Sequence, residues 1–199
     1  GLYNLYSSAH HHGWTRQTRA HNSVTFDGAG QIVRDAEAVA EFDGYFRDSR
    51  MTYALGNASR AYGSRVNRFA RSVVCLDNHL YVLVDEMVPS SEAMWTWHVH
   101  SIKPMAVDSA SRCATIRYDR AALDLTFCHG DELIFREFEG WDYPPFGYSQ
   151  EGDIPEEAAR HHLDVTSTMP IRRDVLVTVM SPYRVGDGQA EVERIWNDG

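Results

Sequence analysis

The stretch "SVVCLDNHLYVLVDEM", Ser72 to Met87, consists of two runs of mostly aliphatic residues on either side of Asp77 and Asn78. Runs rich in valine and leucine are typical of β-strands. Asp and Asn tolerate a positive φ, so the pair between the runs predicts a two-residue hairpin turn. The stretch therefore predicts two antiparallel strands.

Alternation of apolar and polar residues recurs along the rest of the chain. It is found in "SVTF", "MWTWHVHSI", "RCATIRYDRAALDLTF" and "DVLVTVM", and turn residues follow roughly every ten positions. The pattern predicts an all-β fold, an antiparallel β-sandwich of more than ten strands with one or two short helices, formed by residues 1–199 as a single domain. The residues expected in its core are Val24, Phe26, Val82, Val84, Trp95 or Trp97, and Leu125.

Helix signals are few. In "DIPEEAARHHL", Asp153 as N-cap and Glu156 three residues later form a capping box, and Pro155 occupies the tolerated first turn. This stretch predicts a short helix that includes His161 and His162. The earlier stretch "DAEAVAEF", Asp35 to Phe42, fits either two helical turns or a turn and a strand.

Composition excludes several classes of partner. The chain of 199 residues has a formal net charge of -9, and its 19 Lys and Arg residues form no run, so nucleic acid is an unfavourable partner. No apolar stretch approaches the roughly 20 residues that cross a bilayer, so no membrane partner is expected. Three dispersed cysteines predict neither a disulfide framework nor a zinc knuckle.

Histidines supply the strongest chemical signal. His10 to His12 form either part of a ligand set or a solvated turn, and the turn is favoured. His98 and His100 share one face of a predicted strand and could chelate a metal, although solvent exposure of that face is favoured. His21 differs from them, because it directly precedes a strand whose backbone can fix its side chain.

Cations, imidazoles and aromatic rings converge between residues 6 and 19. Tyr6, His12, Trp14, Arg16 and Arg19 together offer what a uronate carboxylate and its sugar ring require. An ordered loop that packs Trp14 against the sandwich is the alternative. The aromatic loop around residues 141–148 leaves the same two interpretations open.

Four stretches occur in the order found in bacterial heparinase II/III-like polysaccharide lyases. They are "WTRQTRAHNSVTFDGAGQ", "YALGNASRAY", "RFARSVVCLDNHLYVLVDEM" and "WTWHVHSI", and the chain resembles that family over most of its length. The resemblance implies an N-terminal α/α toroid that carries most catalytic groups and a C-terminal β-sandwich. This chain resembles only the sandwich, so the toroid is an expected missing partner.

The resemblance also implies an activity, β-elimination on a uronate-containing polysaccharide such as alginate or a glycosaminoglycan. Tyr6 is the nearest candidate for a catalytic tyrosine, and the isolated chain is expected to be inactive. In several members a structural zinc is bound through the histidine of the AHN motif, here His21, with an Asp and a further His that would fall before Gly1. For the full-length protein a periplasmic or secreted location is implied.

A second interpretation remains beside the lyase. The chain could be a stand-alone, non-catalytic module that binds acidic carbohydrate through loop aromatics and Arg16 or Arg19.

Overall fold

Twelve strands form two antiparallel sheets in the part of the chain that the computed structural model describes, residues 5–147, 158 and 160–187. The strands are β1 (Val24–Phe26), β2 (Glu41–Arg47), β3 (Met51–Asn57), β4 (Val66–Leu76), β5 (Leu80–Pro89), β6 (Trp95–Ser101), β7 (Met105–Asp108), β8 (Cys113–Tyr118), β9 (Ala121–Cys128), β10 (Leu133–Glu139), β11 (His161–Ser167) and β12 (Asp174–Arg184).

The sheets differ in size. A four-stranded sheet has the order β1-β6-β11-β10, and an eight-stranded sheet has the order β2-β3-β4-β5-β12-β9-β8-β7. Two sheets packed face to face bury one alternate set of side chains from each strand between them. The antiparallel β-sandwich and the number of strands predicted from the sequence are confirmed.

The predicted hairpin turns lie where the sequence places them. Asp77 and Asn78 have positive φ of 46° and 59°, and Asp119 has a φ of 52°. Tyr118 pairs with Ala121, so the turn after β8 has two residues as predicted. The turn after β4 is longer than predicted, because Leu76 pairs with Leu80 and leaves three residues between them.

The core lies between the sheets and is confirmed for most predicted residues. Its members include Val24, Phe26, Trp95, Trp97 and Leu125. The prediction of Val82 and Val84 as core residues is wrong: both are half-buried on the outer face of the large sheet. Their neighbours Leu83, Asp85 and Met87 face inward instead. The charged Asp85 is accommodated there because Arg71 and Trp97 donate hydrogen bonds to it.

The helix predicted in "DIPEEAARHHL" is wrong for its last three residues, because His161, His162 and Leu163 begin strand β11. Residues 153–157 of that stretch lie outside the described residues. Pairing of β11 with both β6 and β10 overrides the local helix signal. For "DAEAVAEF" the structure selects the turn and strand, since β2 begins at Glu41.

Three short helical segments occur among the described residues. A π-helical turn (His11–Thr15) and a 3₁₀ turn (Thr18–Ala20) precede β1, and a 3₁₀ segment (Ser59–Arg65) precedes β4. None of the helices in the described part of the chain is long and apolar enough to cross a membrane.

Candidate functional site

The N-terminal helical turns cover the outer face of the four-stranded sheet. Trp14 is 7% exposed, and its ring lies 4.8 Å from the ring of His162 and 5.7 Å from that of His100. Trp141 and Phe138 pack in the same small apolar cluster. Trp14 therefore fixes this segment to the sheet, as the packing interpretation of the sequence predicted.

The half-buried His100 and the buried His162 form a pair below Trp14. Their Nδ1 atoms are 2.7 Å apart, and Nε2 of His162 donates to the carbonyl of Gly140 at 3.0 Å. Burial, together with the neighbouring imidazoles, lowers the pKa of His100 to about 4 and that of His162 to about 3. Both rings are therefore neutral near neutral pH, and Nδ1–H of His100 donates to Nδ1 of His162.

His98 lies beside this pair and is hydrogen-bonded through both ring nitrogens. Its Nδ1 is 2.6 Å from Oδ1 of Asp164, and its Nε2 is 2.9 Å from Oγ1 of Thr25. His98 is 5% exposed, so the favoured prediction that this face of the strand is open to solvent is wrong. The periodicity could not reveal this, because the covering turns belong to a different part of the sequence.

A cleft opens beside the His98–Asp164 pair. It has a volume of about 420 Å³, and its walls include Trp14 and Arg19 from the helical turns and Phe138 and Trp141 from the end of β10 and the loop after it. Nη2 of Arg19 donates to Oδ2 of Asp142 at 3.1 Å and to the carbonyl of Gly13 at 3.1 Å. Two of the five predicted sugar-contact residues, Trp14 and Arg19, thus line one cavity.

The other three predicted contact residues lie together on a neighbouring surface. Tyr6 is 65% exposed and its ring lies 4.6 Å from that of His11. Nη1 of Arg16 donates to Nδ1 of the exposed His12 at 3.2 Å. Partial desolvation and the nearby cations Arg16 and Arg34 lower the pKa of His11. We call Tyr6, His11, His12 and Arg16 the N-terminal surface.

The three consecutive histidines differ in burial. His10 is 1% exposed, and its Nδ1 lies 2.6 Å from the carbonyl of Tyr143. His12 is exposed. The prediction of a solvated turn is thus wrong for His10, because this segment is a helical turn that packs one face on the sandwich.

His21 is exposed, and its Nε2–H donates to the carbonyl of Thr15 at 3.1 Å. This hydrogen bond leaves Nδ1 of the neutral ring as a lone-pair donor, the usual arrangement of a metal-bound histidine. A structural zinc needs about four ligands. In residues 5–147, 158 and 160–187 no group of three His, Cys, Asp or Glu side chains is placed to hold a metal. Zinc at His21 stays a prediction, as does the expected proximity of His21 to the chain's first residues, of which 1–4 lie outside the described part.

A buried ion pair anchors the segment that carries His21. Arg71 donates from Nε and Nη2 to the two oxygens of Asp85, at 2.6 Å and 2.9 Å, and Trp97 donates to Asp85 at 2.9 Å. Nη1 of Arg71 also donates to the carbonyl of Asn22 at 2.7 Å. One arginine thus joins both sheets to the backbone that follows His21.

The family model described as "Heparinase II/III-like, C-terminal" matches residues 1–181. The chain belongs to the heparinase II/III-like family, as its C-terminal part. No curated protein matches the chain. The resemblance drawn from the AHN motif and the valine-rich strand is thereby confirmed at the level of the family.

Solved structures share the fold of this heparinase II/III-like chain. The heparan sulfate lyase HepC of Pedobacter heparinus aligns with a TM-score of 0.68 and 18% identity over 89% of this chain and 26% of its own. A heparinase III aligns with a TM-score of 0.65 and 12% identity over 85% and 24% of the two chains. The chain spans about a quarter of the length of these relatives, and at such identities the likeness establishes the fold alone.

Sequence reasoning did not assign functional roles to three residues of this heparinase II/III-like domain that the structure places at the cleft or near His21: Asp164, Arg136 and Arg71. Arg136 and Asp164 lie opposite each other on β10 and β11, strands that are far apart in sequence from the helical turns. The sequence did contain a signal for Arg71. It lies on a basic strand, the next predicted strand ends in Asp85-Glu86, and opposite charges on neighbouring strands can pair.

Proposed function

We propose that this chain is the C-terminal β-sandwich part of a polysaccharide lyase that cleaves a uronate-containing polysaccharide by β-elimination. The observation that carries the proposal is the match to the heparinase II/III-like C-terminal family over residues 1–181. Two of the similar solved structures are named for lyase activity on heparan sulfate or as heparinase III. Alginate and glycosaminoglycans are both within the proposed substrate class.

The N-terminal surface supplies chemistry of the required kind. In β-elimination the sugar carboxylate is neutralised, the adjacent C5 proton is removed, and the 4-linked oxygen leaves with a proton. Arg16 is a permanent cation for the carboxylate. The exposed phenol of Tyr6 can take part in proton transfer, and it lies against His11, whose pKa is lowered by partial desolvation and by nearby cations.

The isolated chain is proposed to be inactive. Proton abstraction beside a carboxylate needs acid, base and neutralising groups held around the substrate together. In the N-terminal surface Tyr6 and His12 are exposed to solvent, and His11 and Arg16 are half-buried. An N-terminal α/α toroid, encoded with this chain in a full-length protein exported to the periplasm or medium, is proposed to close the site. Zinc bound at His21 would order the part of the chain that is proposed to face the toroid.

The test is a double substitution, Tyr6→Phe with Arg16→Ala, in the full-length protein. Formation of unsaturated uronate is followed by ultraviolet absorbance on alginate, heparin and heparan sulfate. We expect turnover to fall by about 100-fold or more, because a proton-transfer group and a charge contact are both lost. Arg117→Ala, an exposed arginine on β8, should leave turnover unchanged.

Normal turnover in a folded double variant would leave the N-terminal surface with a packing role only. Turnover by the purified 199-residue chain, abolished by Tyr6→Phe, would refute the proposed inactivity of the isolated domain. Both results are read beside the Arg117→Ala control.

A non-catalytic module for acidic carbohydrate is the second candidate function. The cleft beside Trp14 favours it, because aromatic and cationic side chains line a cavity of about 420 Å³. Binding of the polysaccharide by the full-length protein without any unsaturated product would select this function over the lyase.

A further inference from the structure

We propose that the cleft between the helical turns and the end of β10 is a binding subsite for an anionic sugar residue, with Arg136 as the group that contacts the anion. The proposal rests on the proposed function for its substrate class, acidic polysaccharide. It places the contact on residues outside the N-terminal surface.

The charges lining the cleft carry the argument. Three carboxylates line it, and each has a basic partner: Glu139 with Arg160 at 3.0 Å, Asp142 with Arg19 at 3.1 Å, and Asp164 with His98 at 2.6 Å. Arg136 also lines the cleft, and none of the described carboxylates lies within 4.0 Å of its guanidinium. Because the three carboxylates are paired with other residues, the guanidinium of Arg136 has hydrogen-bond donors available to a ligand.

The sheet register makes this arrangement unexpected. Arg136 lies directly opposite Asp164 in the β10–β11 pair, where opposite charges ordinarily attract. Asp164 is instead held by His98, which is itself fixed by Thr25 on the far side. The His98 hydrogen bond therefore occupies the carboxylate that the register places opposite Arg136, and the Arg136 guanidinium lies 5.5 Å from the centre of the Phe138 ring.

The shape and the walls of the cleft suit a sugar ring. Its volume of about 420 Å³ falls within the range of about 300–1,000 Å³ that is common for small-molecule sites. The half-buried Phe138, with the small exposed parts of the largely buried Trp14 and Trp141, supplies apolar wall for the CH face of a pyranose. Asp164, whose side chain is 18% exposed, has a carboxylate that can accept a sugar hydroxyl.

An arginine binds carboxylate and sulfate groups by the same forked donors, so the shared chemistry is an anion on a sugar ring. The probes are methyl glucuronide, which carries a carboxylate, N-sulfoglucosamine, which carries a sulfate, and the neutral methyl glucoside. None of them has a 4-linked sugar to eliminate, so binding is measured without turnover.

Binding of each probe to the full-length protein is measured by ligand-observed NMR titration, with Arg136→Gln and the exposed control Arg117→Gln. We expect Arg136→Gln to weaken binding of at least one anionic probe by about tenfold or more, because a charge-assisted contact is lost. Methyl glucoside should bind weakly and equally to both variants, and Arg117→Gln should behave as the parent protein. The probe that responds identifies carboxylate or sulfate as the anion.

The proposal is overturned if the parent protein binds neither anionic probe, or if Arg136→Gln binds both as tightly as the parent. An equal loss for methyl glucoside would also overturn it, because the anion contact would then not be the cause. Arg136 is exposed, so the melting temperature of Arg136→Gln should match that of the parent, which checks the fold. The proposed lyase function can fail independently of this subsite. In that case the parent protein would show no turnover but would still bind the anionic probes in a manner that depends on Arg136.

Discussion

Replacing Arg71 by methionine should destabilise the protein far more than replacing Arg68, although both arginines form a 2.6 Å ion pair across β4 and β5. The difference is burial. Asp85, the partner of Arg71, is completely buried, whereas the Arg68–Glu86 pair is 41% and 27% exposed. An isolated carboxylate in the core loses its hydration without compensation.

The expected magnitude follows from the donors that remain. Removing one partner of a buried pair costs about 3–5 kcal/mol. In Arg71→Met the Trp97 indole still donates to Asp85, which places the loss near the lower end, at about 3 kcal/mol. Arg68→Met removes a partly exposed pair, and its loss should be at most about 1 kcal/mol.

Urea denaturation followed by tryptophan fluorescence measures both losses, since Trp95 and Trp97 are buried between the sheets. A double variant, Arg71→Met with Asp85→Leu, removes both charges and should be more stable than Arg71→Met alone. The explanation is refuted if Arg71→Met and Arg68→Met lose equal stability, or if the double variant is less stable than Arg71→Met. Either result would show that Arg71 does not act by offsetting the cost of burying the Asp85 charge.

Two further predictions concern packing and pH. Gly30→Ala should lower stability by about 1–3 kcal/mol, because a Cβ there would overlap the side chain of Thr18, while Gly130→Ala, with open space around it, is the control in the same urea assay. The hydrogen bond to Asp174 raises the pKa of His129. Burial alone would raise the pKa of Asp174, but the hydrogen bonds from His129 and Trp95 outweigh it and lower that pKa. The contribution of His129 to the free energy of unfolding is complete below its unfolded pKa of about 6.5 and is lost as the pH rises through its folded pKa. The contribution of Asp174 is instead lost as the pH falls through its lowered folded pKa. The urea midpoint should therefore decline above about pH 6.5 in the parent and decline less in His129→Gln; an equal decline in both would assign the pH dependence to other groups.

The parts of the candidate site that could be predicted from the sequence are those whose residues lie close together along the chain. Tyr6, His12 and Arg16 were predicted as a group because they are neighbours along the chain, and the helical turn at His11–Thr15 brings His12 within hydrogen-bonding distance of Arg16. His11, which completes the N-terminal surface, was not predicted. Arg136 was missed because its surroundings come from β6, β11 and the helical turns, which lie in three separate parts of the sequence.

The sequence by itself determined the β-sandwich, because a period of two and turn residues with positive φ are local properties of the backbone. It also determined the family, through short motifs such as that containing His21. The tertiary structure decided which face of each strand was buried: Val82 and Val84 lie outside the core, and His98 is buried on the outer face of the small sheet beneath the helical turns. Alternation identifies two faces but gives no information about what covers each, since that depends on distant segments packing to remove apolar surface from water.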